Sequence, residues 1–232
     1  MKHSLPSEHS LTLVINGVTA QKLICSDDAL KALVYGFLYN EGYIRAASEI
    51  KDLAFSSDHS RAEIELDSCP DKPTVPVRLT GFGGAGLGSE TIRKKIPVKR
   101  LFGTDYVSSC AKEAAGLAVK YAATGGMHCT ALFSDEKLLM FYEDIGRHNS
   151  FDKITGRCLM DGTDARDCLL ITTGRVSEDM VKKAAGLGIS VIASHSTPTD
   201  KALELAENCG ITLIGYIRRE KLNIYCGGER LK

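Results

Sequence analysis

The chain has 232 residues, which is enough for one or two domains with a substantial buried core. Its 29 Lys and Arg residues balance its 29 Asp and Glu residues, so no net positive charge would attract nucleic acid or anionic lipid. The sequence has no apolar run of the roughly 18 residues that a membrane span needs, and its start lacks the apolar stretch of a signal peptide. We therefore expect a cytoplasmic protein without nucleic-acid or membrane partners.

The cysteines of the chain are scattered and show no Cys-x-x-Cys spacing. This pattern argues against a zinc ribbon, a thioredoxin-type redox motif and a disulfide framework. We expect most of the thiols to be buried and reduced, and we predict no metal site.

Residues 1–78 are predicted to form a small α+β domain. Asn16-Gly17 between two β-prone runs predicts a hairpin, and a second hairpin is expected to pair residues 53–55 with 62–66. A helix with one apolar face is predicted from residue 30 to about 40, with Ser26 as its N-cap.

Residues 79–107 are predicted to be a linker that contains a Gly-rich loop. Five of the eight residues 81–88 are glycine, and such a loop can present successive amides to an anion. The loop matches neither the Walker pattern nor a Gly-x-Gly-x-x-Gly motif after a clear strand. A simple connection remains the alternative.

Residues 108–232 are predicted to form an α/β domain. An alanine-rich helix should end at Gly125-Gly126, followed by two paired strands at 129–133 and 138–142. Strands at 168–172, 189–193 and 211–217 alternate with helices, which is typical of parallel strands covered by helices. The expected helix N-caps are Asn149, Ser177 and Thr197.

The stretch 143–153 is the densest group of charged residues that could carry chemistry. It contains two acids, an arginine, a histidine and an Asp-Lys pair: Glu143, Asp144, Arg147, His148, Asp152 and Lys153. The apolar run before it predicts a strand buried on both faces, so these side chains would emerge where ligand sites collect in open α/β sheets. The equally favoured alternative is a cap at Asn149 with Asp152 and local ion pairs.

Two groups of cations are expected at the same edge of the sheet. Thr173-Gly174-Arg175 offers amides and a guanidinium at a strand-to-helix turn, and Arg218, Arg219 and Lys221 follow the last strand of the α/β domain. This arrangement favours a phosphorylated or nucleotide-like ligand, although each cation could instead pair with a neighbouring acid. His128 could face that ligand or be a core histidine.

Catalytic motifs are missing from the sequence. It contains neither Gly-x-Ser-x-Gly nor His-Glu-x-x-His, and Thr130 stands where a zinc deaminase would need a glutamate after His128. We predict no catalytic residue from these patterns.

Several motifs, taken in order, resemble the formate dehydrogenase accessory protein (FdhD/NarQ) family over essentially the whole chain. They are Asn16-Gly17, Gly36-Phe37-Leu38-x-x-Glu41-Gly42, Thr124-Gly125-Gly126-x-His128, Glu143-Asp144-x-Gly146-Arg147-His148-Asn149, Asp152-Lys153-x-x-Gly156, Gly174-Arg175-x-Ser177, Pro198-Thr199 and Tyr225 with Glu229-Arg230. The resemblance implies a homodimer, and a cytidine-deaminase-like three-layer α/β/α C-terminal domain without the deaminase zinc site.

The resemblance also implies a function. Members of the family are sulfur carriers that take persulfide sulfur from a cysteine desulfurase. They pass it to the molybdenum cofactor, a bis(molybdopterin guanine dinucleotide), before the cofactor is inserted into formate dehydrogenase. GDP should substitute for the guanine dinucleotide end in a binding experiment. The predicted cofactor-binding residues are Tyr216, Ile217, Arg218, Arg219, Glu220, Lys221, His128, Arg147, His148, Gly174, Arg175 and Ser177.

The sequence departs from the family at one functional position. The family has a Cys-Gly-x-Cys-Gly loop, and alignment on Thr91-Ile92 places its two cysteines at Gly84 and Leu87. Neither residue can hold a persulfide. Two hypotheses follow: a sulfur carrier that uses another thiol, or a cofactor-binding chaperone that transfers no sulfur. An unrelated nucleotide-binding α/β protein is a third, weaker hypothesis.

Overall fold

The computed structural model describes residues 4–67, 95–134, 137–217 and 222–232. Within these ranges the chain forms two β-sheets and α-helices that cover them. The strands are β1 (His9–Ile15), β2 (Val18–Cys25), β3 (Ile50–Phe55), β4 (Arg61–Leu66), β5 (His128–Ser134), β6 (Lys137–Asp144), β7 (Leu169–Thr172), β8 (Val191–Ser194), β9 (Thr212–Gly215) and β10 (Asn223–Cys226). The helices are α1 (Leu30–Asn40), α2 (Thr104–Leu117), α3 (Val119–Thr124), α4 (Arg147–Asp161), α5 (Glu178–Leu187) and α6 (Asp200–Cys209). None of the helices described is long and apolar enough to cross a membrane.

The first sheet has the strand order β2-β1-β4-β3 and belongs to residues 4–67, which we call the N-terminal unit. Both predicted hairpins are confirmed, and β1 and β4 join them in parallel at the centre of the sheet. Helix α1 buries Leu33 and Leu38 against this sheet. Its N-cap is Ala29, so the prediction of a cap at Ser26 is wrong. The amide of Ser26 instead donates to the Asp144 carboxylate, far along the chain.

The second sheet has the order β10-β9-β8-β7-β5-β6 and belongs to residues 95–232, which we call the C-terminal unit. Strands β7, β8 and β9 are parallel, as predicted, while β5 runs antiparallel to its neighbours. Helices α4, α5 and α6 cover one face and α2 covers the other, each over its own apolar core. The mixed α/β class and the three-layer arrangement are thus confirmed.

Strand β6 lies at the edge of the second sheet, and of residues 138–142 only Met140 is buried while Leu139 is exposed, so the prediction of a strand buried on both faces is wrong. Its side chains are apolar on both sides because each side faces a different helical layer. Leu138 and Phe141 pack with the α2 layer, whereas Met140 and Tyr142 pack with the α4 layer. An edge strand between two helical layers therefore resembles a central strand in its sequence.

Three helix starts also differ from the predictions. The alanine-rich helix is broken at Ala118, whose ψ of 64° is not helical, into α2 and α3. Helix α4 has Gly146 as its N-cap, three residues before the expected Asn149. Helix α6 is capped by Thr199, whose hydroxyl accepts the amide of Ala202, rather than by Thr197. Only the cap position at the start of α5 was predicted correctly.

The two units meet where α1 crosses α4. A Cβ atom on Gly36 would lie 1.8 Å from the carbonyl oxygen of Asp152, and one on Gly156 would lie 1.8 Å from that of Ala32. The two backbones are therefore in direct contact, which only glycine allows. Asn40 adds a hydrogen bond of 2.7 Å from its side-chain amide to the Asp152 carboxylate.

Candidate functional site

The carboxyl ends of β7, β8 and β9 bring together the described residues of the predicted site. The start of β5 lies at the same edge, since Thr130 of β5 pairs with Thr172 at the end of β7. Eight predicted site residues lie on or beside these strand ends: His128, Arg147, His148, Gly174, Arg175, Ser177, Tyr216 and Ile217. The other four, Arg218, Arg219, Glu220 and Lys221, lie outside the described residues, as do the Gly-rich loop and positions 84 and 87.

Arg147 lies across the turn that follows β7. A Cβ atom built on Gly174 would lie 2.8 Å from Cδ of Arg147, so the glycine makes room for the aliphatic part of the arginine. Burial and then the charge of Arg175 lower the pKa of Arg147, whereas Asp179 acts in the opposite direction. Two guanidinium groups from α4 and from the β7–α5 turn therefore share this end of the sheet.

Two histidines lie beside Arg147. Burial, followed by the positive charges of Lys183 and Arg147, lowers the pKa of His148 to about 3. Burial and Arg147 also lower the pKa of His128, whose Nδ1 lies 3.3 Å from the hydroxyl of Thr173. At neutral pH His148 is therefore an uncharged imidazole that can both donate and accept a hydrogen bond.

Ser194 connects the β7 turn with the residues after β9. Its hydroxyl donates a 2.6 Å hydrogen bond to the carbonyl of Gly174, and its carbonyl accepts the amide of Ile217 at 3.1 Å. Tyr216 adopts a positive φ of 54°, an uncommon conformation for a non-glycine residue, and its amide donates to the carbonyl of Ser196. The start of the predicted cofactor segment thus lies next to the Gly174 turn.

Four buried polar atoms around this edge have no hydrogen-bond partner among the residues that the structure describes. They are Nε of Arg147, Nδ1 of His148, Oγ1 of Thr172 and Oγ of Ser177. Buried polar atoms are nearly always hydrogen-bonded, since an unpaired one costs about 1–3 kcal/mol. Four such atoms at the carboxyl ends of strands are the pattern expected of a site that binds a polar ligand.

The remaining charged residues of the stretch 143–153 have structural roles. The Glu143 carboxylate accepts the amides of Lys120 and Tyr121 at the start of α3. Lys183 donates to Asp152 at 2.5 Å, and burial raises the pKa of that carboxyl. For these side chains, the prediction that they face a ligand at the sheet edge is wrong, and the alternative of ion pairs within the protein is correct. Arg147 and His148 of this stretch lie beside the Gly174 turn instead.

The thiols of the described residues are unsuited to sulfur chemistry at this site. None of the seven cysteines in these ranges forms a disulfide, and six of them are buried. Burial raises the pKa of Cys25 and Cys158 to about 12 and that of Cys110 to about 11. Burial also raises the pKa of Cys209 and Cys226. The eighth thiol, Cys69, lies outside the described residues.

Two residues of this edge, Lys183 and Ser194, were not predicted. Lys183 lowers the pKa of His148, and Ser194 donates to the carbonyl of Gly174, but neither belongs to a recognisable motif. Ser194 could have been found from position alone, because it stands at the carboxyl end of a predicted parallel strand. Lys183 has no such signal, since it lies in the middle of α5.

The chain is similar to known proteins over nearly its whole length. The model of the FdhD/NarQ family matches residues 6–232. A protein of Bacillus subtilis named sulfur carrier protein FdhD is 34% identical, with 97% of this chain and 89% of the relative covered. The relative of that name in Listeria monocytogenes is 31% identical, with 100% and 92% covered. The crystal structure of a formate dehydrogenase accessory protein from Desulfotalea psychrophila superposes with a TM-score of 0.81 at 26% identity, covering 100% of this chain and 92% of that one. The chain belongs to the FdhD/NarQ family.

Proposed function

We propose that this protein is an accessory protein for formate dehydrogenase that binds the guanine dinucleotide form of the molybdenum cofactor at the edge formed by β7, β8 and β9. The observation that carries the proposal is the group of buried polar atoms without partners around Arg147 and His148. The names of the relatives, sulfur carrier protein and formate dehydrogenase accessory protein, supply the biological context.

The donors at this edge suit the phosphate groups of such a cofactor. Arg147 and Arg175 supply two guanidinium groups, which bind phosphate oxygens with charge-assisted hydrogen bonds. The hydroxyl of Ser177, at the N-terminus of α5, and the neutral His148 can donate to the same anion. The bound cofactor would supply the molybdenum centre that receives the sulfur, while the residues named here bind and orient its nucleotide part.

Sulfur carriage requires one thiolate on this chain. That thiolate attacks the sulfane sulfur of the desulfurase persulfide, forms a persulfide on the carrier and releases the desulfurase cysteine as a thiolate. Cys69 is the cysteine nearest in sequence to positions 84 and 87, where the family has its two cysteines, so it is the thiol to test first. The burial of six of the seven described thiols favours the second hypothesis, a chaperone that binds the cofactor without moving sulfur.

A persulfide assay separates the two hypotheses. The protein is incubated with a cysteine desulfurase and ³⁵S-cysteine, and the label is located by gel and by mass spectrometry. Label on Cys69 that disappears in Cys69→Ser supports the carrier, whereas label on no cysteine leaves the chaperone. Because the chemistry needs only the two proteins and cysteine, a negative result would not depend on cofactor supply.

A binding experiment tests the cofactor site. We expect GDP to bind with an affinity that falls as salt rises, and Arg147→Met to weaken binding by about tenfold or more, since a hydrogen bond to a charged group contributes about 1.5–3 kcal/mol. Arg157→Met is the matched control, because Arg157 lies on the same helix but pairs with Asp161 at the surface. Equal affinities in the two variants would refute the site.

The partners of the proposed function are a cysteine desulfurase, formate dehydrogenase and a second copy of the chain. We also propose a cytoplasmic location. Coelution of the protein with a cysteine desulfurase and measurement of its mass in solution test the partner and the homodimer directly.

A further inference from the structure

The turn between β6 and α4 decides where Arg147 and His148 lie. Gly146, the N-cap of α4, donates its amide to Oδ1 of Asp144 at 3.0 Å, and the side-chain amide of Asn149 donates to the same oxygen at 2.8 Å. One carboxylate oxygen therefore holds both sides of the turn. Because Arg147 is the first residue of α4, a change in this turn moves its side chain directly.

The second oxygen of the same carboxylate points to the N-terminal unit. Oδ2 of Asp144 accepts the amide of Ser26 at 3.1 Å and pairs with Nζ of Lys153 at 2.8 Å. Asn149 adds a 2.8 Å hydrogen bond to the carbonyl of Ile24. The segment that joins β2 to α1 is thus bonded to the turn that carries the two site residues.

A buried lysine completes this connection. Nζ of Lys153 also pairs with Oδ1 of Asp28 at 2.6 Å, and Asp28 pairs in turn with Lys120. Lys153 and Asp144 are fully buried, while Asp28 is about half-exposed. Two acids and two bases balance one another, which is the condition under which buried charges are tolerated. Removing one partner of the Lys153–Asp144 pair should destabilise the protein more than removing one partner of a surface ion pair, because it leaves a buried charge without compensation.

These contacts bond the segment before α1 to the start of α4, in addition to the contact between α1 and α4 themselves. The edge formed by β7, β8 and β9 lies in the C-terminal unit, yet helix α4, which carries Arg147 and His148, is fixed by residues 24–28 of the N-terminal unit. We propose that Asp144 and Lys153 are positioning residues: through the contacts with Ser26 and Asp28 they hold Arg147 and His148 in the orientation that binds the ligand. The inference rests on the proposed function for its ligand, but the geometry it describes can be measured without one.

The test compares Asp144→Asn with Asp28→Asn and with a control, Ile154→Ala. Ile154 is fully buried on the same helix but belongs to the apolar core, so its truncation lowers stability without changing the polar contacts. Asp28 is half-exposed, and its replacement by Asn leaves Lys153 paired with Asp144, so the Asp28→Asn variant should fold even if the Asp144→Asn variant does not. All variants are first checked for native circular dichroism and mass in solution.

The first measurement follows the ring protons of His148 by NMR while the pH is lowered. We expect the pKa of His148 to rise by at least about one unit in Asp144→Asn and by less in Asp28→Asn, as the ring leaves its buried position, and to be unchanged in Ile154→Ala. Direct loss of the Asp144 charge cannot mimic this result, because removing a negative charge would lower the pKa. An unchanged or lower His148 pKa in both acid variants would overturn the inference.

The second measurement is GDP affinity. We expect Asp144→Asn to weaken GDP binding by about tenfold and Ile154→Ala to leave it unchanged. If the wild-type protein binds no GDP, the proposed ligand is wrong, and the NMR measurement alone decides the positioning role. If GDP binds equally well to wild type and Asp144→Asn, the positioning role is refuted although the ligand stands.

Discussion

The pKa values of the buried thiols predict which cysteines can react. At pH 8 a thiol with the ordinary pKa of 9.0 is about 10% thiolate, whereas Cys25 and Cys158, with pKa values of about 12, are about 0.01% thiolate. Their thiolate fraction is therefore reduced about a thousandfold, and that of Cys110, with a pKa of about 11, about a hundredfold. A more basic thiolate is also more nucleophilic, so a rise of three pKa units increases the reactivity of the thiolate itself by a factor of about 20. Cys25 and Cys158 should still react about 50 times more slowly than an exposed thiol, before steric protection is counted.

Iodoacetamide labelling at pH 8, followed by peptide mass spectrometry over time, measures this difference for each cysteine. Free cysteine in the same buffer provides the reference rate, and protein unfolded in urea shows that every thiol can react once exposed. Labelling of Cys25, Cys110 or Cys158 in the folded protein at rates within a few-fold of free cysteine would refute the reasoning. It would also restore that residue as a candidate for the persulfide.

Two further predictions concern packing. Gly36→Ala places a methyl group against the backbone of α4, which cannot move aside as a side chain could, so the free energy of unfolding in urea should fall by about 3 kcal/mol or more. The control is Gly116→Ala, on an exposed turn of α2 with no atom within 4 Å of the new Cβ, which should be neutral or stabilising by up to about 1 kcal/mol. Equal losses of stability in the two variants would contradict the contact between α1 and α4. Glu143→Gln should lower the free energy of unfolding by about 1–2 kcal/mol and speed hydrogen exchange at the amides of Lys120 and Tyr121, since a neutral amide accepts these hydrogen bonds less strongly. Unchanged exchange at these two amides would refute the role of the Glu143 carboxylate at the start of α3.

Local patterns predicted much of the fold. Asn16 and Gly17 both adopt positive φ, 48° and 79°, which is the conformation that the Asn-Gly signal indicates for a two-residue hairpin turn. The alternation of strands and helices from 168 to 217 gave the parallel core of the second sheet, because such connections leave few other topologies. In these regions the information lies within a few residues of where it acts.

The sequence was misleading where a polar side chain bonds to a distant part of the chain. Asn149 has the residue type of a helix cap, but its amide bonds to Asp144 and to the carbonyl of Ile24, which is 125 residues away. Ser26 also has the residue type of a helix cap, but its backbone amide donates a hydrogen bond to the Asp144 carboxylate. Nothing near Lys153 in the sequence indicates that its ammonium group is fully buried between two carboxylates. Contacts of this kind depend on the relative placement of the two units and have no local pattern.

The same distinction explains which part of the candidate site could be predicted. Arg147, Gly174 and Arg175 could be proposed as site residues because ligand sites lie outside the carboxyl ends of strands in open α/β sheets, and the structure places Arg147 against Gly174. The roles of the individual charged residues in 143–153 could not be predicted. An aspartate or glutamate that orients a helix and one that binds a ligand are the same residue type in the sequence. Only the direction of each side chain separates them.

His148 gives the protein a specific response to acid. Its folded pKa of about 3 lies below the ordinary value of 6.5, so between these values the unfolded state binds more protons than the folded state. The stability contributed by the neutral ring is therefore complete above pH 6.5 and is lost as the pH falls towards 3. At 1.36 kcal/mol per unit, the loss between pH 6.5 and 4.5 is about 2 to 3 kcal/mol. His128, whose pKa burial also lowers, acts in the same direction, whereas Asp152, whose pKa burial raises, acts in the opposite one.

Urea unfolding at several pH values tests this response. The free energy of unfolding of the wild-type protein should fall between pH 6.5 and 4.5, and His148→Gln should remove most of that slope because glutamine does not titrate. His9→Gln is a suitable control, since His9 belongs to the first sheet and its ring bonds to the carbonyl of His59 at the surface. A slope in His148→Gln equal to that of the wild type would mean that the imidazole is not held in its buried position. The structural basis for including His148 in the proposed cofactor site would then fail as well, because the same burial accounts for both.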